Sequence, residues 1–106
     1  DILFESNSSE ISDASKLVLQ GFAGWLRQNS GIKIEIQGHT DDVGNNADNL
    51  ALSQDRAYSV MEYLSDGGGI KASRIKFKGY GESKPLVPND SPGNRNKNRR
   101  TDFLIL

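Results

Sequence analysis

The segment Ile32-Lys33-Ile34-Glu35-Ile36-Gln37 alternates apolar and polar residues without a break. An extended strand turns successive side chains to opposite faces, so this segment makes one greasy face and one wet face. Arg74-Ile75-Lys76-Phe77-Lys78 repeats the pattern. Strands of this kind build a sheet that helices cover on one side while water keeps the other.

Elsewhere the hydrophobic period changes from two residues to three and four. Ser12 or Asp13 can cap a helix carrying Val18, Phe22, Trp25 and Leu26 at helical spacing, with Trp25 in the core. Gly21 and Gly24 weaken that helix, each by about 1 kcal/mol relative to alanine, and close packing on a neighbour is the reading that accounts for them. Asn29, Ser30 and Gly31 form its exit. A second helix runs roughly from Asp48 to Ser65, with Leu50, Ala57, Val60, Met61 and Leu64 as its apolar stripe. Gly67-Gly68-Gly69 stops it. Ile2-Leu3-Phe4 makes a brief first strand and Thr101 to Leu106 the last one. Pro85 to Asn98, rich in Pro, Asn, Ser and Gly, reads as a long loop, which in a small domain is functional or mobile. The order β-α-β-α-β-β predicts an α+β fold, a two-layer α/β sandwich with two main helices on one face of a mixed sheet. No internal repeat is visible.

At 106 residues the chain fits one compact domain, residues 1–106, with one core and no deep internal chamber. Its 35% hydrophobic and 25% charged residues are those of an ordinary globular protein. A formal net charge of −1 provides no overall positive field to recruit nucleic acid or an acidic membrane. The absence of cysteine excludes disulfides and thiolate metal sites. No apolar run approaches the ~20 residues that span a bilayer. The sequence begins at Asp1, without methionine or signal peptide, and we expect it to be a piece of a longer protein whose address lies elsewhere.

The densest polar cluster is Gly38-His39-Thr40-Asp41-Asp42-Val43-Gly44, between the alternating strand and the second helix. Loops beyond the carboxyl ends of parallel strands are where such sheets bind ligands. At about 100° per residue, Asn49, Leu52 and Arg56 fall together on the flank of the helix stripe, and Arg56 can face the Asp41 loop. Two outcomes are open for that pair. They form a salt bridge, the commoner case. Alternatively they receive the two ends of a zwitterion, carboxylate on the guanidinium fork and ammonium on the aspartate.

Thr40-Asp41-x-x-Gly44 followed by Asn49-x-x-Leu52-Ser53-x-x-Arg56-Ala57 resembles the signature of the OmpA-like C-terminal domain family. The similarity continues through Gly69-Ile70, Arg74, Gly79-Tyr80-Gly81-Glu82 and Pro85. It ends with Asn89 and Arg95-x-x-Asn98-Arg99-Arg100. A gapped pattern of that length is far more specific than a lone short motif. The resemblance implies non-covalent binding of the peptidoglycan stem peptide, of the meso-diaminopimelate type. It also implies a periplasmic domain attached through its parent protein to the outer membrane, and a possible weak homodimer. Asp41 and Arg56 match the family's pair for the amino and carboxylate groups of diaminopimelate. Asn49 and Leu52 match pocket neighbours and Thr40 the residue beside the aspartate. Asn7 falls where the first loop reaches the ligand, and Arg100, with Arg99 second to it, matches the arginine of the last strand. Around Gly93-Asn94-Arg95 the chain runs one residue longer than the family pattern, and Gly67-Gly68-Gly69 is unusual.

Each residue also has a plainer reading. Asn49 can cap the second helix. Leu52 can be core, Thr40 a turn hydroxyl, and Arg99 with Arg100 a solvated basic patch. Tyr80 and Glu82 read as scaffold. A metal-dependent hydrolase built on His39, Asp41 and Asp42 is an alternative, but His39 is the single histidine and there is no second ligand cluster. A dimerisation domain of the same fold is another. The reading carried forward is a non-catalytic binding module with no cofactor and no metal.

Overall fold

The computed structural model describes residues 2–5 and 8–106. Helix α1 (Asp13–Gln28) starts at Ser12, whose hydroxyl accepts from the Ser15 amide. Strand β1 (Ile34–His39) follows, then helix α2 (Asn46–Glu62), which continues into a π-helical turn at Tyr63–Gly67. A 3-10 turn at Ala72–Arg74 leads into β2 (Ile75–Gly81). Helix α3 (Pro92–Asn98) and strand β3 (Arg100–Ile105) complete the order. The strands form one sheet in the order β2-β1-β3. β1 pairs parallel with β2 and antiparallel with β3, so the sheet is mixed as expected.

The alternation in β1 is realised as predicted. Ile34 and Ile36 are buried, and Ile36 pairs in register with Phe77 and Phe103 on the helix-covered face. Glu35 and Gln37 pair with Lys76 and Lys78 on the open face. Three details differ from the sequence reading. Ile2-Leu3-Phe4 does not join the sheet: Phe4 makes a single antiparallel bridge to Ile11, and Ile2 packs into the core from that position. The buried stripe of α1 is Ser15, Leu19, Ala23 and Leu26, leaving Val18 exposed and Trp25 39% exposed against Phe22. Leu19-Ala23-Leu26 has the same helical spacing one residue round the cylinder, and periodicity alone does not choose between two such stripes. In α2 the buried positions are Ser53, Ala57 and Val60, while Leu50 is exposed.

The close approaches predicted for Gly21 and Gly24 lie at other glycines. A Cβ on Gly21 would meet nothing within 4 Å. On Gly38 it would lie 2.3 Å from the Ser53 carbonyl oxygen, and on Gly79 2.3 Å from the Gln54 nitrogen. The backbone of α2 therefore rests directly on the ends of β1 and β2. Ser53 pins the contact by donating to Leu50 O (2.8 Å) and accepting from Gly81 N (2.9 Å). Arg74 ties the other end of the fold. Its guanidinium donates to Leu26 O, Asn29 O and Ile32 O at 2.8–3.0 Å, tying together the end of α1 and the turn that follows it. Among the described residues no helix is long and apolar enough to cross a membrane.

The stretch read as a long loop is ordered by Asn98, which is fully buried. Its carboxamide accepts from Leu86 N and Val87 N and donates to Val87 O and Asn89 Oδ1. Ser91 caps α3 with Pro92 in its first turn, and the helix delivers Arg99 and Arg100 to the sheet.

Candidate functional site

β1 ends at His39, and the next residues turn back over the sheet edge. Thr40 N donates to Gly81 O (2.9 Å), and Thr40 Oγ1 donates to the Asp41 carbonyl (2.8 Å). Asp41 is 6% exposed, and its Oδ1 accepts from Val43 N at 3.0 Å, an Asx-type turn. Gly44 completes the turn at φ +90°, a conformation glycine adopts freely. Asn45, not Asn49, caps α2, accepting from Ala47 N and Asp48 N. Asn49 is left to hold the loop from the helix side, donating to Val43 O (3.0 Å) and more weakly to Asp41 O (3.4 Å).

Thr40, Asp41, Val43 and Asn49 line one side of a cleft of about 400 Å³. Leu52 and Arg56 of α2 form another wall, Ile2, Leu3 and Phe4 a third, and Asn96, Arg99 and Arg100 the fourth. Asp41, Arg56, Asn49, Leu52, Thr40 and Arg100 thus meet in one place. Asn7 lies outside the described residues.

Asp41 and Arg56 face the same cleft without forming the salt bridge that spacing alone favoured. The partner of Asp41 is Arg99, whose Nη1 donates to Oδ2. Arg56 has no carboxylate partner among the described residues. Its Nε donates to Ser8 O (2.8 Å) and its guanidinium carbon lies 4.8 Å over the Phe4 ring, so the backbone and a ring fix its direction. Burial, and after it the charge of Arg99, lower the Arg56 pKa from the usual arginine value. The two final arginines take different partners. Arg99 reaches Asp41, while Arg100 donates to Asp102 Oδ2 (3.1 Å) and Lys84 O (3.2 Å), with its Nη1 buried and without a hydrogen-bond partner among the described residues. No pattern in the sequence singles out Arg99, at the C-terminal cap of α3, as the partner of Asp41.

His39 lies beneath the cleft, 5% exposed, with its ring stacked on Tyr80 at 5.3 Å. Neither ring nitrogen finds a hydrogen bond among the described residues, and Asp102 Oδ2 lies 3.5 Å from Nε2, an ion-pair distance but too long for a good bond. Burial first, then the charge of Arg100, lower its pKa, while Asp102 opposes them. Among the described residues no group of three or more His, Asp or Glu is placed to hold a metal ion.

The arrangement can receive a small polar ligand that carries both signs of charge. It offers a recessed carboxylate, a guanidinium without an acid partner among the described residues, two polar side chains and a leucine wall.

The OmpA family model matches residues 3–99. A photosystem I P700 chlorophyll a apoprotein A2 from Gloeobacter violaceus is 36% identical over 99% of this chain and 13% of its own length. Outer membrane porin F of Pseudomonas aeruginosa is 32% identical over 99% of this chain and 30% of its own. This chain therefore spans only a fraction of these curated relatives. The crystal structure of the peptidoglycan-associated lipoprotein from Burkholderia pseudomallei superimposes with a TM-score of 0.89 at 30% identity, covering 99% of this chain and 88% of that one.

Proposed function

Because this chain belongs to the OmpA family, we propose that it is a non-catalytic module that holds peptidoglycan through the diaminopimelate of the stem peptide, anchoring a larger envelope protein to the wall. The far end of a peptide-linked diaminopimelate is a zwitterion. Asp41 takes its ammonium and the free fork of Arg56 its carboxylate. Thr40 and Asn49 hold the Asp41 loop in place, Leu52 packs on the aliphatic chain, and Asn7 and Arg100 contact the flanking stem peptide.

The observation that carries this reading is the state of Arg56. It is half-buried, aimed by Ser8 O and Phe4, and without an acid partner among the described residues. A partly desolvated guanidinium left in that state is costly unless a ligand supplies the missing anion. Lysine lacks that carboxylate, so a lysine-type stem peptide leaves Arg56 unpaired and binds less well. No bond is made or broken, and repetition along the wall multiplies a weak single site into firm attachment. The relatives' names, an outer membrane porin and a peptidoglycan-associated lipoprotein, support a parent tied to the outer membrane with this domain in the periplasm.

Co-sedimentation with purified diaminopimelate-type sacculi tests the assignment. Arg56→Ala and Asp41→Ala each lose about 2–5 kcal/mol of binding, as when one partner of a hydrogen-bonded charge pair is truncated, with the fold retained. Pull-down at the wild-type level by both folded variants refutes the proposed pair.

A further inference from the structure

We propose that the open face of the sheet, the side away from α1 and α2, is a second interaction surface that rests on a membrane leaflet bearing anionic lipid headgroups. The lysines that carry it do not line the cleft, and the inference stands independently of the diaminopimelate reading. The formal net charge of −1 conceals a separation along the chain. Residues 1–70 hold four Lys or Arg against eleven Asp or Glu, and residues 71–106 hold nine against three. The basic part includes β2, an edge strand of the sheet, so folding sets its charge out along one border.

Alternation puts Lys76, Lys78 and Tyr80 of β2 on the open face, beside Glu35 and Gln37 of β1, with Asp102 and Leu104 of β3 beyond them. Lys84, just past the end of β2, joins them. Its Nζ lies 4.2 Å from the Tyr80 ring centroid, and Lys78 Nζ lies 5.0 Å from the same centroid. All three lysines are exposed, and none has an acid partner among the described residues. The two acids of the face are half-buried and already engaged. Glu35 Oε1 accepts from Gln37 Nε2 at 2.8 Å, and Asp102 Oδ2 accepts from Arg100 Nε at 3.1 Å. Among the described residues, the outermost charges of the face are therefore ammonium groups. Leu104, 48% exposed, adds an apolar side chain to the same face.

The chemistry of these residues selects the partner. Arg56, Arg99 and Arg100, with their rigid planar forks, line the cleft, whereas Lys76, Lys78 and Lys84 stand on the face. An ammonium on a flexible stem responds to charge density and not to the geometry of one acid group. A lipid leaflet offers such a charge, spread over many headgroups, with hydrocarbon beneath. Lysine stems lie along that boundary with their heads among the headgroups, a tyrosine ring suits the same depth, and Leu104 reaches further in. A soluble polyanion has no use for the leucine. Lysines on an edge strand also deter a second sheet from adding, but that role does not call for Lys84 over Tyr80 or for an exposed leucine on β3. Each lysine near an anionic leaflet is worth roughly a fivefold gain in binding. Three make a weak contact, which tells when a parent protein already holds the domain near a membrane.

Vesicles make the test: one set of phosphatidylcholine alone, another of phosphatidylcholine with phosphatidylglycerol, each sedimented with the domain at low ionic strength. The domain binds the second set and not the first, and added salt releases it. Lys76→Gln combined with Lys78→Gln weakens that binding by about thirtyfold. Lys16→Gln combined with Lys97→Gln, the same change in net charge made on α1 and α3, leaves it at the wild-type level. Leu104→Ser weakens it as well, which a purely ionic contact would not show. If the variant with both β2 lysines replaced does not fold, Lys84→Gln alone carries the test, with an expected loss of about fivefold. Failure to bind the phosphatidylglycerol vesicles, equal binding to both sets, or equal losses in the two double variants overturns the proposal. Vesicle binding left unchanged by Leu104→Ser assigns the face to a soluble polyanion and overturns it too. None of these outcomes bears on the cleft, whose test remains sedimentation with sacculi.

Discussion

Two buried ionisable residues lie within a few positions of one another here, and their surroundings set them apart. Asp41 is buried among donors: a backbone amide and a guanidinium already face its oxygens. His39 is buried without them, its nitrogens unpartnered among the described residues, and its pKa is lowered by burial and by Arg100. A depressed histidine binds fewer protons folded than unfolded. Its contribution to stability is complete above the unfolded value, near 6.5, and is lost as pH falls from there towards the folded value. The urea midpoint is therefore expected to drop between about pH 7 and about pH 5, and to drop less in His39→Phe, which keeps the stack on Tyr80. An identical slope in the variant assigns the acid sensitivity to other groups. At this scale the candidate site was largely legible. Five proposed residues meet in one cleft because a motif of fixed spacing puts them on a loop and on the helix that follows, and β3 brings Arg100 to them. The partner of Asp41 was not legible: spacing offered Arg56, and Arg99, 58 residues further on, is brought to it by tertiary folding.

Helix α2 meets the ends of β1 and β2 by backbone contact, at Gly38 and Gly79. Gly79 has no room for a Cβ, with Gln54 N at 2.3 Å and Ser53 Oγ at 2.6 Å, while Gly21 has open space. Gly79→Ala is expected to destabilise by about 1–3 kcal/mol or more through overpacking, and to weaken wall binding because α2 carries Asn49, Leu52 and Arg56. Gly21→Ala is expected to stabilise α1 by up to about 1 kcal/mol. Thermal denaturation of both variants decides it, and similar shifts in the same direction would contradict the packing described. Alternation made the strands β1 and β2 legible, and glycine and polar breaks made the two main helices so. Which face of α1 is buried was not, because Val18, Phe22 and Trp25 compete with Leu19, Ala23 and Leu26 for one stripe. Helix α3 was hidden for a different reason. Pro92, Gly93 and Asn94 have poor helix propensity, and the order of that stretch comes from the four bonds of buried Asn98, a tertiary effect.

Across the molecule, one end of the sheet collects, among the described residues, three arginines and one aspartate in the cleft lining, in a chain whose formal net charge is −1. The positive charge is local, so attraction to polyanions is not what the domain as a whole provides. The family's relatives carry this domain as 13% of a photosystem apoprotein and 30% of a porin, which fits a module that supplies attachment to very different parents. The central claim is that attachment reads the distal carboxylate of diaminopimelate. Calorimetric titration of the domain with two stem peptides, identical except for diaminopimelate or lysine at the third position, tests it most directly. The account predicts at least tenfold tighter binding of the diaminopimelate peptide, since lysine leaves Arg56 without its anion, and predicts that Arg56→Ala erases the difference. Equal affinity of the wild type for the two peptides would contradict it.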